Sequence, residues 1–344
     1  MSLYDGVRDL PLEIDSLELV LAELPLSPEF TRRTTTVVLR GGGCEGRGED
    51  VTYDPREHDP ERLARPDLVG SWTLETLAER LETTDLFPAG APSQAAYRDY
   101  RRWAFESAAL DLALAQAGRA LADAVGRTPR PLGFVSSTRA SSLDGWLALY
   151  PSLRFKLDAT DEWTDEVVAG LAALGSVDVV DLKGAYHGTV VDRPADPVLY
   201  RRIAAGLPHA WIEDPALTPE TIAVLEPHRD RITWDAPIHS WADVEALPFP
   251  PRCLNSKPSR FGSVERLFEF YDRCGEHGIA LYGGGQFELG VGRGQIQLLA
   301  ALFHPDGPND VAPGGYNAPA PLAGLPVSPL APSPAPSGFR RSEA

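Results

Sequence analysis

VDVVDLKG (residues 177–184), AWIEDP (210–215) and RITWDAP (231–237) are short apolar runs that each reach an acid: Asp181, Glu213 and Asp235. They are too short for ordinary helices and rich in β-branched or aromatic side chains, the composition of buried strands. Working outward, the same kind of run recurs upstream as GFVSS (133–137) and LRFKLD (153–158), and downstream as RCLNSKP (252–258) and IALYGGG (279–285). Amphipathic helical stretches such as DEVVAGLAAL (165–174) and SVERLFEFYDRCGEHG (263–278) lie between them. Repeated βα units imply a parallel sheet. Seven strands, with an irregular eighth near 308–316, predict a closed barrel over residues 129–316. No Gly-rich dinucleotide fingerprint follows the first strand, which argues against an open doubly wound sheet.

Upstream of the barrel the pattern differs. LELVLAELPL (17–26), TTTVVLRGGG (34–43) and EGRGEDVTY (45–53) read as three antiparallel strands, and 94–126 switches to helical spacing through Trp103, Leu110, Leu114 and Leu121. The expected architecture is α/β: an N-terminal α+β module over 1–128 and a (β/α)7β or (β/α)8 TIM-like barrel. Residues 317–344 are rich in Pro, Ala and Ser; the first part is expected to return onto the N-terminal module and the end to be disordered. The length of 344 residues suits this plan, since barrels alone run roughly 250 residues.

A net charge of -17 argues against a nucleic-acid partner, because phosphate binding needs clustered Lys and Arg. No stretch approaches the roughly 18 apolar residues of a membrane span, and a cytoplasmic location is the expectation. Cys44, Cys253 and Cys274 form neither an even disulfide set nor a paired zinc pattern.

In such a barrel the catalytic groups come from the C-terminal ends of several strands. Those ends are Lys156, Asp181 with Lys183, Glu213 with Asp214, Asp235, and Lys257. Three acids from successive strands converge on one rim, where they repel unless a cation sits between them. A hard, oxygen-preferring divalent ion, Mg²⁺ above all and Mn²⁺ as its substitute, is the natural occupant. Lys156 and Lys257, half a barrel turn apart, should face each other across it. A carboxylate substrate would then have an amine on either side of its α-carbon, with nearby positive charge lowering the lysine pKa toward neutrality.

The sequence resembles the muconate-lactonizing subgroup of the enolase superfamily. The similarity rests on RRWAFESAALDLALAQAGRALADAVGR (101–127), WIEDP, WDAP and NSKPSRFGS (255–263), in that order. It implies a capping role for the N-terminal module, Mg²⁺ on Asp181, Glu213 and Asp235, and Lys156 and Lys257 as the acid/base pair. The activity it implies is that of a lyase or isomerase: racemisation or epimerisation, dehydration as in o-succinylbenzoate synthases, or cycloisomerisation.

The chain departs from the family pattern in three places. Arg154 stands where relatives carry the first lysine of Lys-x-Lys, and Lys183 stands where they commonly carry Asn. Strand alternation places Lys183 beside Asp181, to hold a substrate anion, act as a third base, or take the metal's place. The acid usual after the fifth-strand ligand is replaced by Ala-Pro-Ile, followed by His239. Arg154, Lys183, Glu288 and Ser259 are the expected substrate-binding residues, and Gly283 to Gly285 read either as a cradle for an anion on backbone amides or as a turn needing positive φ. Candidate capping-loop residues are Ser27 to Arg33, among them Glu29, Phe30, Arg32 and Arg33, and Cys44 to Asp50. The expected partner is a small carboxylate, with self-association left open. The alternative function is a metal-free barrel that binds a small molecule.

Overall fold

The computed structural model of the protein describes every residue except Met1, Glu29, Gly188, Val190, Glu343 and Ala344. The candidate loop residue Glu29 thus lies outside the described residues. After β1 (Pro11–Ile14), the chain runs through an antiparallel meander of β2 (Ser16–Ser27), β3 (Phe30–Gly41) and β4 (Cys44–Asp50), and β5 (Gly70–Thr73) pairs back onto β1. The β3–β4 hairpin turns on Gly42 and Gly43, with φ of +55° and +76°. A two-residue hairpin loop needs this left-handed pair, and glycine adopts it without steric cost. The Ala-rich helix Tyr97–Gln116 packs across β4. Its approach is close because β4 offers glycine there: a Cβ at Gly48 would lie 2.1 Å from the Ala104 carbonyl oxygen.

The barrel strands are β6 (Val135–Thr138), β7 (Arg154–Asp158), β8 (Val177–Asp181), β9 (Trp211–Glu213), β10 (Ile232–Thr233), β11 (Cys253–Ser256) and β12 (Ala280–Gly283). β6 to β10 pair in parallel in sequence order, and so do β11 and β12. The Asn255 amide donates to the Trp234 carbonyl at 3.1 Å and joins the two sets. Parallel bridges from Asp310 to Gly284 and from Asn309 to Phe134 close the ring, so the irregular eighth strand is real. An α-helix follows each of the seven strands, whereas the 3-10 turn Gly314–Asn317 follows the eighth. The barrel is therefore (β/α)7β behind an α+β cap. All three cysteines are free, Cys253 and Cys274 being buried.

The cap and barrel share buried polar contacts. Arg32 is 1% exposed. Its guanidinium donates to the carbonyls of Val51, Thr52, Gln286 and Phe287 at 2.6 to 3.2 Å. The Glu49 carboxylate accepts from the amides of Leu289, Gly290 and Gly292 at 2.7 to 3.0 Å. A cap residue thus satisfies the free amides at the start of the barrel helix Val291–Phe303. The end of the chain, expected to be disordered, is ordered through Ser342. Leu330 pairs with Leu132, Gly338 bridges Ala120, and Phe339 is fully buried against Trp103. It is rich in Pro, Ala and Ser, but one aromatic anchor and the Arg340–Asp111 ion pair at 2.5 Å hold it on the cap.

Ring closure depends on a buried side-chain hub. Asn309 Nδ2 donates to the carbonyls of Gly133, His304 and Gly307, while its Oδ1 accepts from the Gly283 amide at 2.6 Å. The same Oδ1 lies 2.7 Å from His304 Nδ1, which therefore carries the proton. His304 Nε2 is buried without a partner, so charging the ring would bury an unsatisfied N–H. Burial accordingly lowers the His304 pKa to about 4. Because the unfolded chain takes up this proton more readily, His304 contributes its full stability above about pH 6.5 and loses it as pH falls toward 4. The loss should reach on the order of 3 kcal/mol. Urea unfolding between pH 7 and 4.5 should show a steeper decline for the native chain than for His304→Gln.

Candidate active site

Asp181 ends β8 and Glu213 ends β9; the two are direct register partners, and Asp235 follows β10. All three are buried, and one carboxylate oxygen from each lies within 4.8 Å of the others. Two charges at that separation repel by about 3 kcal/mol at an effective dielectric near 20. The cluster therefore requires compensating charge, and the barrel brings four cations to it. The Lys156 ammonium donates to Glu213 Oε1 at 2.5 Å and lies 3.4 Å from Asp181 Oδ2. Lys183 donates to the same Asp181 Oδ2 at 2.5 Å and lies 3.3 Å from Asp158. Lys257 sits 2.8 Å from Asp235 Oδ2. Arg260 lies 3.2 Å from Asp235 Oδ1 and also donates to the Asp235 carbonyl.

Neutral donors complete the setting. Tyr282 donates to Glu213 Oε2 at 2.5 Å and Tyr186 to Asp235 Oδ2 at 2.9 Å, while Asn255 approaches Glu213 at 3.5 Å. Asp214 turns away from the cluster to accept the amides of Asp235 and Ala236, each at 2.9 Å. Its carboxyl rises to about 7 through burial and the charges of Asp235 and Asp181. Burial also raises Glu213 to about 8, with Asp181 and Asp235 adding to the effect against Lys156. Burial works upward on Asp181 too, but Lys183 and Lys156 outweigh it and leave the carboxyl below its ordinary value. Burial disfavours the Lys156 ammonium, yet Glu213, Asp181 and Asp235 together hold its pKa well above that of a free lysine. The sequence expectation of a lowered lysine pKa thus meets the opposite direction here, because the acids face the lysine directly.

Among the described residues, three non-glycine residues have left-handed backbone: Lys183, Asp214 and Phe287, with φ of +54°, +49° and +59°. All follow barrel strands at the same rim, and such conformations cost on the order of 1 kcal/mol or more each. The rim is thus a place where local strain is held by the surrounding fold.

Several expected site residues have partners outside the acid cluster. Arg154 opens β7 at the end away from the rim that carries Lys156 and Asp158, and its partly exposed guanidinium pairs with Asp178 and donates to the Gly175 carbonyl. Glu288 accepts the Gln286 amide at 2.6 Å and meets Arg293 at 3.3 Å, near the cap. Ser259 is buried in the short helix Pro258–Phe261 after Lys257. His239 Nδ1 lies 3.1 Å from the Arg260 carbonyl and 3.6 Å from Asp99. Arg32 is the cap clamp described above, and Arg33 pairs with Glu23 and Asp59. Gly283, Gly284 and Gly285 have no positive φ among them. They are glycine for space: a Cβ at Gly284 would lie 2.7 Å from Lys257 Cε, and one at Gly285 2.4 Å from Glu288 Oε2.

The profile described as a domain of unknown function, DUF8230, matches in two parts, its N-terminal domain over residues 5–124 and its C-terminal domain over 128–318. The chain belongs to the DUF8230 family. This DUF8230 protein is similar in structure to an unknown member of the enolase superfamily from Enterococcus faecalis V583, with a TM-score of 0.64 and 22% identity over 88% of this chain and 86% of that one. It is also similar to the dipeptide epimerase from Methylococcus capsulatus solved with a Mg ion, at a TM-score of 0.61 and 20% identity over 84% and 86% of the two chains. The fold is thus that of the enolase superfamily. A 61-residue stretch is 34% identical to o-succinylbenzoate synthase of Bacillus subtilis (strain 168); it spans 18% of this chain and 16% of that relative.

Among the described residues no helix is long and apolar enough to cross a membrane. The donor chemistry of the triad fits a hard divalent cation: three buried carboxylates with no nitrogen or sulfur ligand. Millimolar Mg²⁺ should raise the melting temperature of the native chain. Glu213→Gln should abolish that shift, whereas Arg154→Leu, at the far end of β7, should preserve it.

Proposed function

We propose that this protein removes the proton α to the carboxylate of a small substrate, with Lys156 and Lys257 as the acid/base pair and Mg²⁺ or Mn²⁺ held by Asp181, Glu213 and Asp235. The observation that carries the reading is the convergence of three buried acids with one lysine entering from β7 and another from the end of β11. A divalent ion there would supply concentrated positive charge beside the substrate carboxylate. Tyr282 and Asn255 aim the Glu213 oxygens, while Tyr186 and Arg260 aim those of Asp235. Such preset donors and charges need no reorganisation when negative charge develops on the substrate.

One lysine takes the α-proton on its amine nitrogen, and the electron pair moves into the carboxylate to give an enediolate. The other lysine, on the opposite face, delivers a proton for inversion or assists departure of a leaving group. Its acid partners keep Lys156 protonated until they are engaged by another cation, so the base form is tied to a charged site. Racemisation or epimerisation, dehydration and cycloisomerisation all begin with this abstraction, and the relatives named above include a dipeptide epimerase and an o-succinylbenzoate synthase. A metal-free barrel that binds a small molecule is the second reading, favoured by the Lys183 ammonium on Asp181.

Incubating the chain with Mg²⁺ and a panel of carboxylates in D₂O should place deuterium at the α-carbon of at least one, read by mass spectrometry. Lys156→Ala and Lys257→Ala should each slow exchange at one face by about 10²-fold or more. Undiminished exchange in both variants would remove the lysines from these roles.

A further inference from the structure

We infer that Lys183 is an internal counter-ion that occupies Asp181 until a divalent cation displaces its ammonium to Asp158, so that this one side chain sets the protein's metal affinity. The inference rests on the metal reading above and on the contacts of the Lys183 side chain. Lys183 engages both oxygens of Asp181: its backbone amide donates to Oδ1 at 3.0 Å and its ammonium to Oδ2 at 2.5 Å. The left-handed backbone at φ +54° folds the residue back onto an acid only two positions earlier. A cation approaching Asp181 Oδ2 therefore meets an ammonium already in hydrogen-bond contact. Like charges at that distance do not share an oxygen without strong repulsion.

A second seat for the ammonium stands beside the first. Asp158 Oδ1, at the end of the neighbouring strand β7, lies 3.3 Å from Lys183 Nζ. The Tyr186 ring lies on the ammonium with its centroid at 4.8 Å, where its π-face favours a cation in either seat. Asp158 is 55% exposed and lines a groove of about 950 Å³ with Thr138, Arg139, Trp163 and Arg193. A lysine seated there has an anionic partner and solvent, and no longer touches the triad. The exchange is a rotation of one flexible side chain, with the backbone held by the Lys183 amide on Asp181 and by the Arg193 amide on the Lys183 carbonyl at 3.1 Å. Lys156, which also approaches Asp181 Oδ2, keeps Glu213 as its main partner and lacks such an exit.

Isothermal titration of the chain with Mg²⁺, and with Mn²⁺ as a second probe, tests this without any substrate. Lys183→Met should tighten binding by tenfold or more. Asp158→Asn, at an exposed position that leaves the fold intact, should weaken it several-fold in the native background by removing the release seat. In the Lys183→Met background, Asp158→Asn should have little effect, because no ammonium remains to be seated. Equal affinity in the native chain and Lys183→Met overturns the inference, and so does an Asp158→Asn effect of the same size in both backgrounds, the signature of bulk electrostatics alone. Metal bound tightly by the native chain with no response at Lys183 removes only the counter-ion role. Silence toward both ions in the native chain and in Lys183→Met removes the metal reading and this inference with it.

Discussion

The mutual repulsion of Asp181, Glu213 and Asp235 is the constraint to which the rest of the barrel mouth answers. Three buried charges within 4.8 Å of one another hold together only where donors and cations are arranged around them. Each acid has its own retinue: Lys156, Tyr282 and Asn255 for Glu213, Lys183 and Lys156 for Asp181, and Lys257, Arg260 and Tyr186 for Asp235. These partners come from the ends of different strands, so the charge cluster and the closed barrel specify each other. Asp214, buried beside them, serves the backbone instead, by holding the amides that lead away from Asp235.

The same demand extends into the cap. The loop after β12 runs through Gln286 and Phe287, whose carbonyls are held by Arg32, and into a helix whose first amides are held by Glu49. A loop that borders the site is thus shaped by groups on the other module, and the left-handed Phe287 lies between these two anchors. Rigidity at the rim is a property of the interface as much as of the barrel.

Much of this was legible in the sequence because the period of the strands and the acids at their ends are local signals. Seven barrel strands, the meander of the cap and the three acids could be read one run at a time. What escaped depended on geometry that no short window contains. Spacing sets Arg154 next to Lys156, but it stands at the start of β7, away from the rim, where the extra residue of β8, Asp178, takes up its guanidinium. Gly283 to Gly285 look like a turn and are in fact a surface against which Lys257, Glu288 and His304 pack. Tyr186 sits in an irregular loop and carried no signal. Arg260, three residues after Lys257 on one helical turn, could have been found from spacing, and so could Tyr282 from the alternation of β12. The tail was misread because its composition is that of a disordered segment, whereas its order comes from Phe339 and Arg340.

The two ends of the chain each finish the module they do not belong to. Near the start, the Leu3 amide donates to Asp272 on the barrel helix Val264–His277. Near the end, the Phe339 amide and Arg340 engage Asp111 in the cap helix. Asp111 is fully buried and receives little else beyond the Arg47 amide. A buried carboxylate of the cap helix is thus neutralised by a segment that lies beyond the whole barrel in sequence, and the cap is complete only where these two distant parts of the chain have met.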